Sequence, residues 1–156
     1  MIFISPSKGS MSFEEMMEDI VRYITGLPLS SYKIIIGSDS QVREHTCFIT
    51  AVIVHRLGKG ARYYYRKKHQ RKIKSLRQKI FYETALSLEV GSLVAREFAH
   101  SGHADLNVEI HIDVGTNGET KTLIKEVVGM VTGSGFKAKI KPEAYGASSV
   151  ADKHTK

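Results

Sequence analysis

The chain has 156 residues, enough for one domain with a substantial core, and splitting it in two would leave each half small and marginal. Its composition is ordinary for a globular protein (42% hydrophobic, 25% charged), while a formal net charge of +7 favours a polyanionic partner. One cysteine, Cys47, excludes a disulfide within the chain and a cysteine-based zinc cluster, and no Walker-type glycine loop is present to support nucleotide hydrolysis.

Residues 1–6 lack the basic and long apolar regions of a signal peptide, and no apolar run approaches the roughly 20 residues that cross a bilayer. A cytoplasmic location with no membrane partner is the expectation. Residues 12–25 predict a helix. Ser12 and Glu15 make a capping box, and Phe13, Met16, Met17, Ile20, Val21 and Ile24 recur at helical spacing before Gly26 and Pro28 stop it. No chemistry is visible in it, so it reads as an accessory packing helix.

Residues 32–38 predict the central strand. Ile34, Ile35 and Ile36 make a short β-branched run, and Gly37-Ser38-Asp39-Ser40-Gln41 ends it at once. An Asp delivered at that exit is a turn residue or a metal ligand, and the remaining acids decide for a ligand. Residues 47–55 predict a second strand, Leu57-Gly58-Lys59-Gly60 a turn, and the Tyr-rich residues 61–67 a third strand. Such short connections make the three an antiparallel meander.

A basic span follows and overlaps the third strand, with Arg62, Arg66, Lys67, Lys68, Arg71, Lys72, Lys74, Arg77 and Lys79 close together. It reads as an electrostatic footprint for nucleic acid, against the competing reading of a solvated charged face. A long helix is predicted from a Ser75 cap to about His100, closed by Ser101-Gly102. Residues 107–113 predict a fourth strand, parallel to an earlier one because a helix precedes it. A loop over 115–118, a helix over 119–131, a fifth strand over 136–141 and a short last helix capped by Ser148 or Ser149 complete the chain. The order is helix, then β-β-β-α-β-α-β-α, a mixed sheet of five strands.

The acids sit at pointed places on this scheme. Asp39 and Asp113 leave strands one and four, and emerge at one sheet edge if those strands are parallel neighbours. On the long helix, Leu76, Ile80, Thr84, Ser87, Gly91, Val94 and Phe98 line one face. Glu83 falls about 20° from Leu76 on the helical wheel, beside that face, whereas Glu89 falls on the far side. A Glu bordering a buried stripe needs a partner or a metal, so Glu83 is preferred and Glu89 remains the competitor. Asp152 lies in the first turn of the last helix, where complementing the helix dipole is the plainer reading. Four acids together need neutralising, and oxygen-only ligands suit Mg²⁺ or Mn²⁺, a pair of which can hydrolyse a phosphodiester.

Ile36-Gly37-Ser38-Asp39-Ser40-Gln41, Ile110-His111-Ile112-Asp113-Val114-Gly115 and Val150-Ala151-Asp152-Lys153-His154, in this order of elements, resemble the ribonuclease H-like fold, and in particular the bacterial YkuK family. The resemblance covers residues 32–156 as the core of a single 1–156 domain, with 12–25 as an added N-terminal helix. It implies an α/β architecture with helices on both faces of the five-stranded sheet. It further implies Asp39, Glu83, Asp113 and Asp152 as catalytic ligands of two Mg²⁺ or Mn²⁺ ions. Ser40, Arg66, Lys68, Arg71, Asn117, Lys153 and His154 are then candidate substrate contacts. Two departures stand out. Glu83 lies about two turns into its helix, later than in the minimal enzymes, and the last helix ends four residues after Asp152.

The expected activity is a metal-dependent nuclease on RNA, RNA–DNA hybrid or structured DNA. A non-catalytic nucleic-acid-binding module on the same fold is the alternative. A third reading is an interaction protein using the Tyr63-Tyr64-Tyr65 strand, which could also stack on bases.

Overall fold

The computed structural model describes residues 1–116 and 118–144. It opens with a hairpin absent from the sequence expectation: β1 (Ile2–Ser5) pairs antiparallel with β2 (Gly9–Ser12). Gly9 takes φ +79°, a left-handed conformation open to glycine, where the turn closes. Four-residue strands, one of them Gly-Ser-Met-Ser, carry too little alternation to declare themselves. The five-strand count is therefore corrected: the described residues form one seven-stranded sheet in the order β2-β1-β5-β4-β3-β6-β7.

Helix α1 (Phe13–Gly26) begins at the expected capping box, with Ser12 Oγ accepting from the Glu15 N–H and Glu15 Oε1 accepting from the Ser12 N–H. It buries Met16, Met17, Ile20 and Ile24. The meander follows as β3 (Tyr32–Val42), β4 (Thr46–Arg56) and β5 (Ala61–Gln70). β3 runs further than its apolar residues require. Its ladder with β4 continues from Tyr32↔Arg56 to Val42↔Thr46, so Asp39 lies within the strand, opposite Ile49, and not at its exit. Backbone pairing holds the polar Ser-Asp-Ser-Gln stretch extended where side-chain pattern alone implies a turn.

Helix α2 (Leu76–His100) starts at the Ser75 cap and buries Ile80, Glu83, Thr84, Ser87, Gly91, Val94 and Phe98 along one side. It leads to β6 (Asn107–His111), which pairs parallel to β3 with Ile36↔Ile110 and Gly37↔His111. The adjacency assumed for these two strands is thus present. β6 stops two residues before Asp113. A 3-10 segment (Glu119–Leu123) precedes α3 (Ile124–Gly133), so the helix expected over 119–131 is two pieces; no side chain caps the first of them. β7 (Lys137–Lys139) adds parallel to β6 and is shorter than the strand expected over 136–141.

Alternate strand residues serve different neighbours. Ile34, Ile36, Val52, Val54, Tyr64 and Ile110 join one core with Met16 and Ile20 of α1, Val94 and Phe98 of α2, and Val127 and Val131 of α3. Ile35, Ala51 and Ile53, and Ile49 with Tyr65, form small separate clusters on the opposite face. All three described helices therefore share one face; the helix expected after Ser148 or Ser149 would have to supply the other. The crossovers step in one direction, β3 to β6 to β7, and crossovers of one hand keep α2 and α3 on the same side. The last helix expected from Ser148 or Ser149 lies outside the described residues.

Helix α2 lies close on the sheet at Gly91, where an added Cβ would lie 3.0 Å from Ile110 Cδ1 and 3.7 Å from Ile36 Cδ1. The missing side chain lets the helix lie directly over the β3–β6 pair. That depth of packing carries Glu83, two turns earlier, down to the sheet.

Candidate metal centre

A chain of buried hydroxyls locks α2 to the sheet beside the acids. Ser38 Oγ lies 2.8 Å from both Thr50 Oγ1 on β4 and Ser87 Oγ on α2. All three residues are buried, so each depends on the others for its hydrogen bonds. Ser38 precedes Asp39, and Ser87 follows Glu83 by one helical turn. The network therefore sets the separation between the strand that bears one carboxylate and the helix that bears another.

Asp39, Glu83 and Asp113 each present a carboxylate oxygen, and these lie within 4.8 Å of one another. They come from a strand, a helix and the segment after a parallel strand. The register explains the meeting of the two aspartates: Gly37 sits opposite His111, and Asp39 and Asp113 each lie two residues further on. Ser40 joins two of them, its N–H donating to Asp39 Oδ1 at 2.8 Å and its Oγ donating to Glu83 Oε2 at 2.6 Å. Its hydroxyl thus orients Glu83.

The electrostatics are those of crowded acids. Glu83 is 6% exposed, and its carboxyl is pushed up to about 8. Burial is the main cause and the charges of Asp39 and Asp113 add to it, while the Ser40 hydrogen bond and Lys79 pull the other way. Asp113 is ion-paired with Lys141, Nζ to Oδ1 at 2.7 Å, which holds the ammonium above its usual value. Lys141 was not anticipated from sequence. It stands in a loop before Pro142 with no motif around it, and only folding brings it to the cluster.

Glu89 stands apart, its side chain 48% exposed and paired with Arg66 at 3.0 Å. Of the expected substrate contacts, Arg66 is thus engaged on the helix side, and Lys68 lies over the Tyr82 ring at 5.6 Å. Arg71 is exposed at the end of β5. The basic span is also less of a unit than its sequence density implies: Arg62 pairs with Asp19 and Arg77 with Glu126. Tyr64 donates to Asp19 and Tyr65 is buried, which removes those two rings as a stacking platform. Asn117, Asp152, Lys153 and His154 lie outside the described residues.

The family model for Ribonuclease H-like proteins matches residues 15–156. The chain belongs to that family. It is 42% identical to the uncharacterised protein YkuK of Bacillus subtilis (strain 168), an alignment covering 99% of this chain and 97% of that protein. No solved structure matches the chain. This ribonuclease H-like chain has no helix, among its described residues, long and apolar enough to cross a membrane.

The donor set fits a hard divalent cation. Three carboxylate oxygens within 4.8 Å of one another match oxygen ligation of Mg²⁺ or Mn²⁺ and offer no soft ligand. Burial first, and the neighbouring Asp39 and Asp113 charges after it, raise the Glu83 carboxyl, and a bound cation would offset both.

Proposed function

We propose that the chain is a divalent-metal-dependent nuclease that hydrolyses phosphodiester bonds in RNA, RNA–DNA hybrid or structured DNA. The observation that carries this is the convergence of Asp39, Glu83 and Asp113 at the β3–β6 end of a ribonuclease H-like sheet. In this reading Asp39, Glu83 and Asp113 hold Mg²⁺ or Mn²⁺, with Asp152 completing a two-ion set. When bound, the ions activate a water and stabilise the leaving oxygen.

The remaining steps fall to the side chains. Ser40 keeps the Glu83 carboxylate aimed at Asp39, and the Thr50–Ser38–Ser87 chain keeps α2 at the distance that aim requires. Lys141 neutralises part of the acid charge and offers a cation to an approaching phosphate. Lys68 and Arg71, with Asn117, Lys153 and His154, are the proposed contacts to the polyanion, and Arg66 would first have to leave Glu89.

The test compares wild type with Asp39→Asn on labelled RNA, hybrid and branched DNA, in Mn²⁺ or Mg²⁺. Cleavage by wild type that vanishes in the variant supports the reading, and equal cleavage by both ends it. Salt-sensitive binding without turnover would leave the chain as a nucleic-acid-binding module on this fold.

A further inference from the structure

At the opposite end of the sheet from the acids, α1, Lys8 of the β1–β2 turn, the last residue of β4 and the start of β5 line an open depression of about 390 Å³. From Tyr32, beside it, to Asp39 is seven residues along β3, or about 23 Å at ~3.3 Å per residue. Its charged groups are Lys8, Arg22, Arg56 and Arg62, with one carboxylate, Asp19.

Asp19 is 2% exposed and already saturated. Lys8 and the Tyr64 hydroxyl bond to its two oxygens, Arg62 Nη1 lies at 3.4 Å and Arg22 Nη2 at 4.0 Å. Its charge is satisfied by the first of these cations. Arg56 has no ion pair among the described residues. Neutral groups hold it instead: Nη2 donates to the Tyr23 carbonyl at 2.7 Å and Nε to the Tyr32 hydroxyl at 3.1 Å. The Arg56 and Arg62 guanidinium groups stand 4.0 Å and 4.5 Å from the centre of the same Tyr23 ring. Two like charges thus contact one ring, Arg56 held by neutral acceptors and Arg62 by Asp19. Three positive charges remain in excess in one depression, and Arg56 and Arg62 are held in place before any ligand arrives.

We infer that this depression binds a phosphate group, with Arg22, Arg56 and Arg62 as its donors. Planar guanidinium groups match phosphate oxygens two at a time, and the held Arg56 and Arg62 side chains lose little freedom on binding, with the exposed Arg22 closing over the ligand. The same chemistry is presented by free pyrophosphate and by the backbone of a nucleic-acid strand. A strand of about seven nucleotides, at ~3.4 Å per nucleotide, would span from here to the acid cluster. The inference does not depend on catalysis.

The test is calorimetry in EDTA, at low salt, with sodium pyrophosphate and with single-stranded 5-mer and 20-mer oligonucleotides. The proteins are wild type, Arg22→Gln, Arg56→Gln and, as a control on an exposed cation of α3, Lys125→Gln. Pyrophosphate should bind wild type and Lys125→Gln alike and lose about tenfold in affinity in each arginine variant. Arg22 has a side chain 72% exposed, so its variant tests the site even if Arg56→Gln fails to fold. If the oligonucleotides lose affinity in the same variants and displace pyrophosphate, the source is a strand. If only pyrophosphate responds, the source is a free phosphate compound. Absence of pyrophosphate binding to wild type, or equal weakening in Lys125→Gln, overturns the inference. None of these outcomes depends on whether the protein cleaves nucleic acid.

Discussion

Glu83→Gln removes the charge of the buried acid while keeping its shape, and the structure fixes the sign of the result. An unfolded Glu ionises near 4.5, whereas Glu83 in the folded chain ionises at about 8. Between those values the folded chain holds a proton that the unfolded chain has lost, so stability falls as pH rises. Below 4.5 the group contributes nothing to the difference, and above about 8 the full penalty is present. At about 1.4 kcal/mol per pH unit, the penalty approaches about 5 kcal/mol as a ceiling. In Gln the Oε1 atom still accepts from Ser40, and the amide N–H faces Asp39 and Asp113 as a donor instead of a third negative charge. Urea denaturation in EDTA at pH 5, 7 and 9 should therefore show a wild-type stability that declines relative to Glu83→Gln by several kcal/mol. Adding Mn²⁺ at about 100 times its dissociation constant at pH 8 should restore about 2.7 kcal/mol to wild type and little to the variant. Parallel pH curves for the two proteins would refute the claim that Glu83 is crowded by charge and burial.

Further outcomes follow from other parts of the structure. Ser38→Ala strands the Thr50 and Ser87 hydroxyls between strand and helix, and should cost about 2 kcal/mol in denaturation and weaken Mn²⁺ binding by calorimetry. Gly91→Val places branched carbon against Ile110 and Ile36, and should lower stability by about 2–3 kcal/mol by overpacking. Asp19→Asn leaves Lys8, Arg22 and Arg62 without their carboxylate, and should cost about 2–3 kcal/mol at pH 7. Because Asp19 ionises below its usual value of 3.8, that difference should hold down to about that pH and shrink below it, which a denaturation series from pH 7 to 2 would show. Lys141→Met removes a cation that competes for Asp113, so calorimetry should find Mn²⁺ bound several-fold more tightly, and unchanged or weaker binding would contradict the pairing.

Elements with long, regular signals were legible in the chain. The Ser12–Glu15 box and the heptad-like run behind it placed α1, and the Ile80-to-Phe98 stripe placed the buried side of α2 with Glu83 at its border. The β1–β2 hairpin was not legible, because its strands are too short to alternate and gain their stability from β5 alongside. The length of β3 was not legible either. Whether Ser38-Asp39-Ser40-Gln41 turns or stays extended depends on hydrogen bonds from β4, a segment whose register no local pattern reveals.

The sequence by itself determined which residues could carry chemistry: acids following apolar strand runs and on a helix border, in an order that resembles the ribonuclease H-like arrangement. That information is local, because the period of apolar residues dictates which side of an element each acid takes. Only the tertiary structure decided that Asp39, Glu83 and Asp113 meet within 4.8 Å, that Lys141 joins them, and that Lys8, Arg22 and Arg62 gather around Asp19. Those meetings depend on strand register and helix docking. Both are set by pairings between residues dozens of positions apart, which no window along the chain contains.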